Sequence, residues 1–188
     1  MNEQQFAALA AQGYNRIPVT LETFADLDTP LSIYLKLANK PFSYLLESVI
    51  GGERFGRYSI IGLPAHEWLR VNGRECAIVR ARAGGQTETL EHVFVTDPLV
   101  FVEKYRKRFN AAPIEGALRF AGGLAGYFGY DTVRYIEHKL ELDEHALKKD
   151  LIGTPDILLM LSDELAVVDN LSGKLHLIVY ADPAKPNA

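Results

Sequence analysis

An acid, a hydroxyl and a guanidinium fall close together in this chain, at Glu47, Ser48 and Arg57. They lie in the run Leu45-Leu46-Glu47-Ser48-Val49-Ile50-Gly51-Gly52-Glu53-Arg54-Phe55-Gly56-Arg57-Tyr58-Ser59. The apolar residues around Glu47 have strand character, the glycines bound a loop, and Arg57 leads back into extended structure. A carboxylate pairs with an ammonium, a hydroxyl bonds a polar head atom, and a guanidinium answers a carboxylate with a charge-assisted fork. Brought together at strand ends, the three are expected to hold a small zwitterion such as an amino acid. In a regular strand Glu47 and Ser48 point to opposite faces, so sharing one ligand requires the strand to twist or end there, or one residue to act through its backbone. The competing structural reading is an ion pair between Glu47 and Arg57 that pins the loop, with Ser48 bonding backbone at the strand end.

No catalytic constellation accompanies this trio. Ser32, Ser43, Ser48, Ser59, Ser162 and Ser172 lack a nucleophile-elbow setting, and His66, His92 and His176 lie in strand-like surroundings where hydrogen-bonded structural roles are expected. The run Phe120-Ala121-Gly122-Gly123-Leu124-Ala125-Gly126-Tyr127-Phe128-Gly129-Tyr130-Asp131 has neither the dinucleotide glycine spacing nor a following Gly-Lys-Ser/Thr, so no phosphate-cradling fingerprint is present. Its glycines are expected to allow close backbone packing in a strand, with Tyr127 and Tyr130 covering them. His138, Glu141, Glu144 and His145 could be assembled into a metal site on paper. The histidines lack the i, i+4 pairing of a zincin, however, and lysines crowd the same segment, so a solvated connector is expected over 137–150. The chain reads as one that binds.

The elements that would carry these residues follow from turn and capping signals. Residues 3–12 form a short helix stopped by Gly13, and 17–23 are extended. Thr29-Pro30 opens a helix to about Ala38 with Leu31, Tyr34, Leu35 and Ala38 on one face. Strands are expected over 42–49, 57–61, 68–79 with a hairpin at Asn72-Gly73, and 88–95 after a turn at Gly84-Gly85, together making an antiparallel meander. Asp97-Pro98 opens a helix to about Arg108, with Leu99, Val102 and Tyr105 inward and four basic residues on a solvated face near the negative end of its dipole. A further helical stretch is expected over 132–139. Strands over 156–161, 164–169 and 174–180 are expected to form a closing meander, with Asn170-Leu171-Ser172 a turn. The fold class is α+β, largely antiparallel sheet with helices packed on one side.

At 188 residues and 48% hydrophobic content, the chain can bury roughly 70% of its unfolded surface and is expected to form one compact unit over 1–181, with 182–188 as a tail. A formal charge of −4 with dispersed Lys and Arg offers no basic stripe for nucleic acid. The single Cys76 excludes an internal disulfide and a sulfur-ligated metal site, and reads as a small apolar strand residue. The first residues, Met1-Asn2-Glu3-Gln4-Gln5, are polar and acidic, and no apolar run approaches about 18 residues. A cytoplasmic setting without membrane association is expected.

The succession Ile17-Pro18, Thr29-Pro30 with Tyr34 and Leu37, Leu45-Leu46-Glu47-Ser48, Gly56-Arg57-Tyr58-Ser59-Ile60-Ile61-Gly62, the glycine-rich run from Gly122 to Asp131, and Pro155-Asp156 resembles the amino-terminal region of anthranilate synthase component I. The resemblance spans nearly the whole chain in order. It implies a family that converts chorismate and ammonia, drawn from glutamine by an amidotransferase partner subunit, to anthranilate and pyruvate in tryptophan biosynthesis. On the same resemblance, chorismate and Mg2+ are bound in a larger carboxy-terminal region with no counterpart in these 188 residues, so this part alone is not expected to be catalytic. The family's amino-terminal region carries part of a feedback site for L-tryptophan, which by motif falls on Glu47 and Ser48, with Arg57 matched to a basic residue near the pocket. Two alternatives stay open: a structural and subunit-contact module without effector binding, and the equivalent region of aminodeoxychorismate synthase.

Overall fold

The computed structural model describes residues 1–47, 56–114, 120–140 and 152–185. The chain divides into two compact units, Met1–Ala65 with Phe109–Gly123 and Ser162–Ala188, and His66–Arg108 with Leu124–Leu161, where length alone led to the expectation of one. Each unit is built on its own five-stranded sheet. The α+β class with antiparallel sheets is as the sequence indicated; the division is not, because the chain changes sheet between strands that are consecutive in sequence.

In the first unit the strand order is β1 (Ile17–Phe24), β10 (Lys174–Ala181), β9 (Glu164–Asp169), β3 (Tyr58–Gly62) and β2 (Tyr44–Leu46), with every neighbouring pair antiparallel. Helix α1 (Glu3–Ala11) starts at a capping box in which Asn2 and Gln5 exchange side-chain to backbone bonds of 2.9 Å each, and Gly13 follows its end at φ +88°. Helix α2 (Pro30–Leu37) starts the same way: Thr29 Oγ1 accepts from Ser32 N at 3.1 Å, and Ser32 Oγ accepts from Thr29 N at 3.0 Å.

The buried side of α2 is rotated part of the way from the expected one, keeping Tyr34 and Ala38 and replacing Leu31 and Leu35 by Ile33. Ile33 and Ala38 are buried, with Tyr34 partly so, against Ile61, Ala166 and Val168, while Leu31 and Leu35 face solvent. Periodicity admits either stripe, and the sheet selects the one with the β-branched residue. The opposite sheet face packs Leu165, Val167 and Ile178 against Tyr58, Ile60, Ile114, Phe120 and Tyr180. Strand β9 is thus covered on both faces, which is why its residues run apolar without alternation. Each such side chain contributes about 1.5–3 kcal/mol through burial.

The second unit orders β6 (Thr87–Phe94), β5 (Glu75–Ala81), β4 (Glu67–Asn72), β8 (Ile157–Ser162) and β7 (Gly123–Phe128). The expected hairpin is present, displaced by one residue: Asn72 pairs with Glu75, so Gly73 and Arg74 form the turn. Positive φ at Gly73 (+56°) but not at Arg74 is the pattern of a type II′ turn, which needs glycine at its first central position. Helix α3 (Pro98–Arg106) is capped by Asp97, whose Oδ1 accepts from Leu99 N and Val100 N at 2.9 and 3.3 Å. It buries Phe101 and Tyr105, and the Tyr105 hydroxyl donates to Glu67 Oε1 at 2.8 Å.

Two expected meanders are broken. β3 does not pair with β4: Leu63 N still donates to Glu164 O at 3.0 Å and Ala65 N to Phe42 O at 2.9 Å, and β4 then enters the other sheet. In the same way β8 and β9, adjacent in sequence, belong to different sheets. The strand expected over 42–49 is confined, among the described residues, to Tyr44–Leu46, with Phe42 at φ +60° just before it. The helix expected over 132–139 is instead two 3-10 turns, Tyr130–Tyr135 and His138–Leu140.

Asp156 ties the turns of the second unit together. Its backbone N–H donates to Val71 O at 2.8 Å, its carbonyl accepts from Gly129 N at 2.7 Å, and its Oδ2 accepts from Gly73 N at 2.6 Å. The Tyr135 hydroxyl lies 2.9 Å from Asp156 Oδ2 and 2.8 Å from Gly73 O, sharing its proton between them. Burial, reinforced by Asp156, pushes the Tyr135 phenol well above its ordinary range. Tyr135→Phe is expected to cost about 1–2 kcal/mol, read as a lowered midpoint in urea unfolding with an unchanged slope.

Candidate functional site

The site proposed from sequence lies where β2 ends and β3 begins, both in the first unit. β2 pairs with β3 through Tyr44 to Gly62, Leu45 to Ile61 and Leu46 to Ile60. The Tyr44 ring packs over Gly62, and its hydroxyl bonds Ser162 Oγ at 2.6 Å, which fixes the short strand. Glu47 follows directly and is exposed. Ser48 lies outside the described residues.

Arg57 enters β3 from Gly56, which takes φ +91°. Its guanidinium forks onto Asp169, the last residue of β9: Nε lies 3.1 Å from both carboxylate oxygens, and Nη2 donates to Oδ2 at 2.7 Å. Asp169 is 3% exposed. Its Oδ1 also accepts from Leu171 N at 3.1 Å and Ser172 N at 3.4 Å, the folded-back bonds of an Asp that opens a turn. Asn170 completes the clamp. Its backbone N–H donates to Arg57 O at 2.8 Å, and its Nδ2 donates to Gly56 O at 3.2 Å and to buried Ser59 Oγ at 3.0 Å. The Arg57 guanidinium also lies 4.9 Å from the Tyr58 ring centroid.

The electrostatics follow from the fork. The Arg57 guanidinium holds the Asp169 carboxyl down to about 2 against the upward push of burial, and the turn N–H groups add to its effect. Asp169 in return pushes the Arg57 pKa further up.

Among the described residues no ion pair joins Glu47 to Arg57; the guanidinium pairs with Asp169 instead. Arg57 is therefore in an ion pair, as the structural reading expected, but with an acid at the end of β9 in place of Glu47. Sequence reasoning missed Asp169, Asn170 and the role of Ser59. The available signal was Asp169-Asn170-Leu171-Ser172-Gly173, a turn sequence whose first residue favours bonding the backbone ahead of it.

Gly126 backs directly onto β8, whereas Tyr130 is 94% exposed and covers nothing in its unit. His92 Nε2 lies 2.6 Å from Glu75 Oε1, and His176 Nδ1 lies 3.6 Å from Glu22 Oε2. Cys76 is buried and its thiol is pushed up to about 11, chiefly by that burial. The segment with Glu141, Glu144 and His145 lies outside the described residues. Among the described residues no three His, Cys, Asp or Glu side chains gather to hold a metal ion. No helix among them is long and apolar enough to cross a membrane.

Two five-stranded antiparallel sheets with few helices define a mixed α+β fold of the kind seen in a solved structure. That structure, anthranilate synthase component I from Streptococcus pneumoniae, superposes with a TM-score of 0.50 over 88% of this chain and 32% of its own, at 22% identity, which bears on the fold. No family model matches the chain. In sequence it is 53% identical over 188 residues to anthranilate synthase component 1 of Neisseria gonorrhoeae, 54% identical over 188 residues to that of Pseudomonas aeruginosa, and 37% identical over 172 residues to that of Acetivibrio thermocellus. The first two alignments cover all of this chain and 37% of each relative. The chain is thus related along its whole length to the amino-terminal region of anthranilate synthase component I, and spans about a third of the length of the curated relatives it matches.

Proposed function

We propose that the chain is the tryptophan-sensing and structural part of an anthranilate synthase component I, the cytoplasmic enzyme that makes anthranilate and pyruvate from chorismate and ammonia. The observation that carries this reading is the 53% identity over all 188 residues to a protein of that name. The reaction, the Mg2+ it uses and the chorismate site belong to the carboxy-terminal region, and ammonia comes from a glutamine amidotransferase subunit. Glu47, Ser48 and Arg57 form this region's share of an L-tryptophan site: Glu47 meets the ammonium, Ser48 a polar head atom and Arg57 the carboxylate. Bound effector favours a state less able to turn over chorismate, a coupling worth about 1–3 kcal/mol.

The test is calorimetric titration of L-tryptophan into the complete gene product, with anthranilate production followed in parallel. Glu47→Gln keeps the side-chain shape and removes the charge, and is expected to weaken binding and relieve inhibition by about tenfold or more. Unchanged binding and inhibition in that variant remove the site; aminodeoxychorismate in place of anthranilate moves the protein to the folate branch.

A specific observation also supports the structural part of the proposal. Val19 and Val179 are directly paired on β1 and β10, Leu21 lies two residues along on the same face, and all three are exposed. Such a strip is suited to being covered by further protein, and in this reading the carboxy-terminal region covers it.

A further inference from the structure

Asparagine followed by glycine is the pair in which a backbone nitrogen most easily reaches the side chain before it, because glycine brings no Cβ to bar the approach. That pair stands here at the tip of the β4–β5 hairpin, with Asn72, Gly73 and Arg74 all exposed to water. A Cβ built on Gly73 would meet nothing within 4 Å, so no neighbouring atom crowds that side of the turn. Yet Gly73 is gripped at both ends. Its N–H donates to Asp156 Oδ2 at 2.6 Å, and its carbonyl accepts from the Tyr135 hydroxyl at 2.8 Å. The two gripping side chains also meet each other, at 2.9 Å. Asp156 is itself fixed through its backbone to Val71 and Gly129. The hairpin does not need this hold for its own closure, since Asn72 and Glu75 already pair across it. Side chains 62 and 83 positions away in sequence thus converge on one exposed glycine.

We propose that Asn72-Gly73 is a site of slow deamidation by water and that Asp156 and Tyr135 hold it closed. In the reaction the Gly73 nitrogen attacks Cγ of Asn72: a new N–Cγ bond forms, the Cγ–Nδ2 bond breaks, and ammonia leaves carrying the proton that Gly73 gave up. The cyclic imide left behind takes up a water at either carbonyl and opens to aspartate or to isoaspartate, with no net oxidation or reduction. Attack requires the Gly73 nitrogen to swing away from its acceptor toward Asn72, so a charge-assisted bond at the nitrogen and a second bond at the carbonyl must break first. Asp156 Oδ2 also lies where a base would take the Gly73 proton, a role with the opposite effect on the rate. A carboxylate is too weak a base to draw the proton from a backbone amide, so restraint is the larger effect. Conversion would also undo the grip. Isoaspartate adds an atom to the main chain just ahead of Gly73, and either product brings a negative charge next to the glycine that binds Asp156 Oδ2.

The experiment incubates the complete gene product in mildly alkaline buffer and follows, by peptide mass spectrometry, the fraction of Asn72 converted from amide to acid. A synthetic peptide of residues 69–77 is the unrestrained reference. Wild type is expected to convert at least about tenfold more slowly than the peptide. Tyr135→Phe frees the Gly73 carbonyl and Asp156→Ala frees the nitrogen, and each is expected to speed conversion about tenfold. Tyr105→Phe is the control, since it removes a hydroxyl bond to Glu67 Oε1 elsewhere in the same unit; it is expected to change the rate by less than about twofold. A wild type that converts as fast as the peptide, or grip variants that convert no faster than wild type, overturn the proposal. Equal acceleration by Tyr105→Phe overturns it too, because the protection would then come from the stability of the whole unit. Asp156→Asn keeps an acceptor oxygen and cannot act as a base, so conversion slower than wild type in that variant gives Asp156 the base role and overturns restraint. Should Asp156→Ala not fold, Tyr135→Phe against Tyr105→Phe decides.

Discussion

Gly126→Ala is expected to unfold the second unit or to lower its unfolding free energy by about 3 kcal/mol or more, the upper end of what overpacking costs. Gly126 lies in β7 directly against β8. A methyl group there would fall onto the carbonyl oxygen of Leu158, with the Leu158 carbonyl carbon at 2.9 Å and the Leu159 Cα at 3.0 Å. These are backbone atoms in the middle of a ladder, so no side chain can swing aside, and β7 must part from β8 or β8 must shift. β8 also pairs with β4, where Trp68 sits opposite Met160. Trp68 is the single tryptophan of the chain and is 5% exposed, so its fluorescence reports on this sheet. A red-shifted emission at low urea is expected for the variant. An unfolding free energy within about 0.5 kcal/mol of the parent, the range of harmless surface changes, counts against this account of the glycine.

The second large effect is a pH-dependent loss in the first unit. The Asp169 carboxyl titrates at about 2 in the folded chain, below its usual value of about 3.9 in an unfolded one. A carboxyl whose folded pKa is depressed adds stability that is fully present above the unfolded pKa and is lost as pH falls through the folded one. The contribution of Asp169 is therefore complete above about pH 4 and gone near pH 2. The full shift corresponds to more than 2 kcal/mol, but Arg57 is partly solvated and screened, so about 1–2 kcal/mol is the expected difference between the parent chain and Asp169→Asn at pH 7. Urea unfolding followed by far-ultraviolet circular dichroism at a series of pH values checks this. The two curves should approach one another between pH 4 and 2, and a gap that stays constant over that window would assign the loss to packing instead of charge.

The capping signals were legible because they are local. Thr29-Pro30 and Asp97-Pro98 each place an oxygen over the first turn and a proline where no N–H is needed, and both helices begin there. The hairpin at Asn72-Gly73 was legible to within one residue, the displacement arising because one glycine suits the first position of a type II′ turn as readily as the second of a type I′ turn. The inward face of α2 was legible only in half. Tyr34 and Ala38 turn inward as the spacing indicated, but Leu31 and Leu35 share their side by periodicity as well as Ile33 does, and what separates them is the shape of the sheet beneath.

The same division runs through the candidate site. Residue types alone marked the segment from Glu47 to Arg57 as charged, hydroxylated and glycine-bounded at a strand end, and the order of motifs placed the chain beside anthranilate synthase component I, since those features sit within short stretches of sequence. That Arg57 answers to Asp169, 112 positions away, was decided by the pairing of β3 with β9, which sets Tyr58 against Asp169. The splitting of consecutive strands between two sheets was likewise a tertiary outcome. A strand's pattern records which faces are buried but not which strand lies beside it, because backbone hydrogen bonds are chemically alike in every ladder and the partner is chosen by the packing of the whole unit.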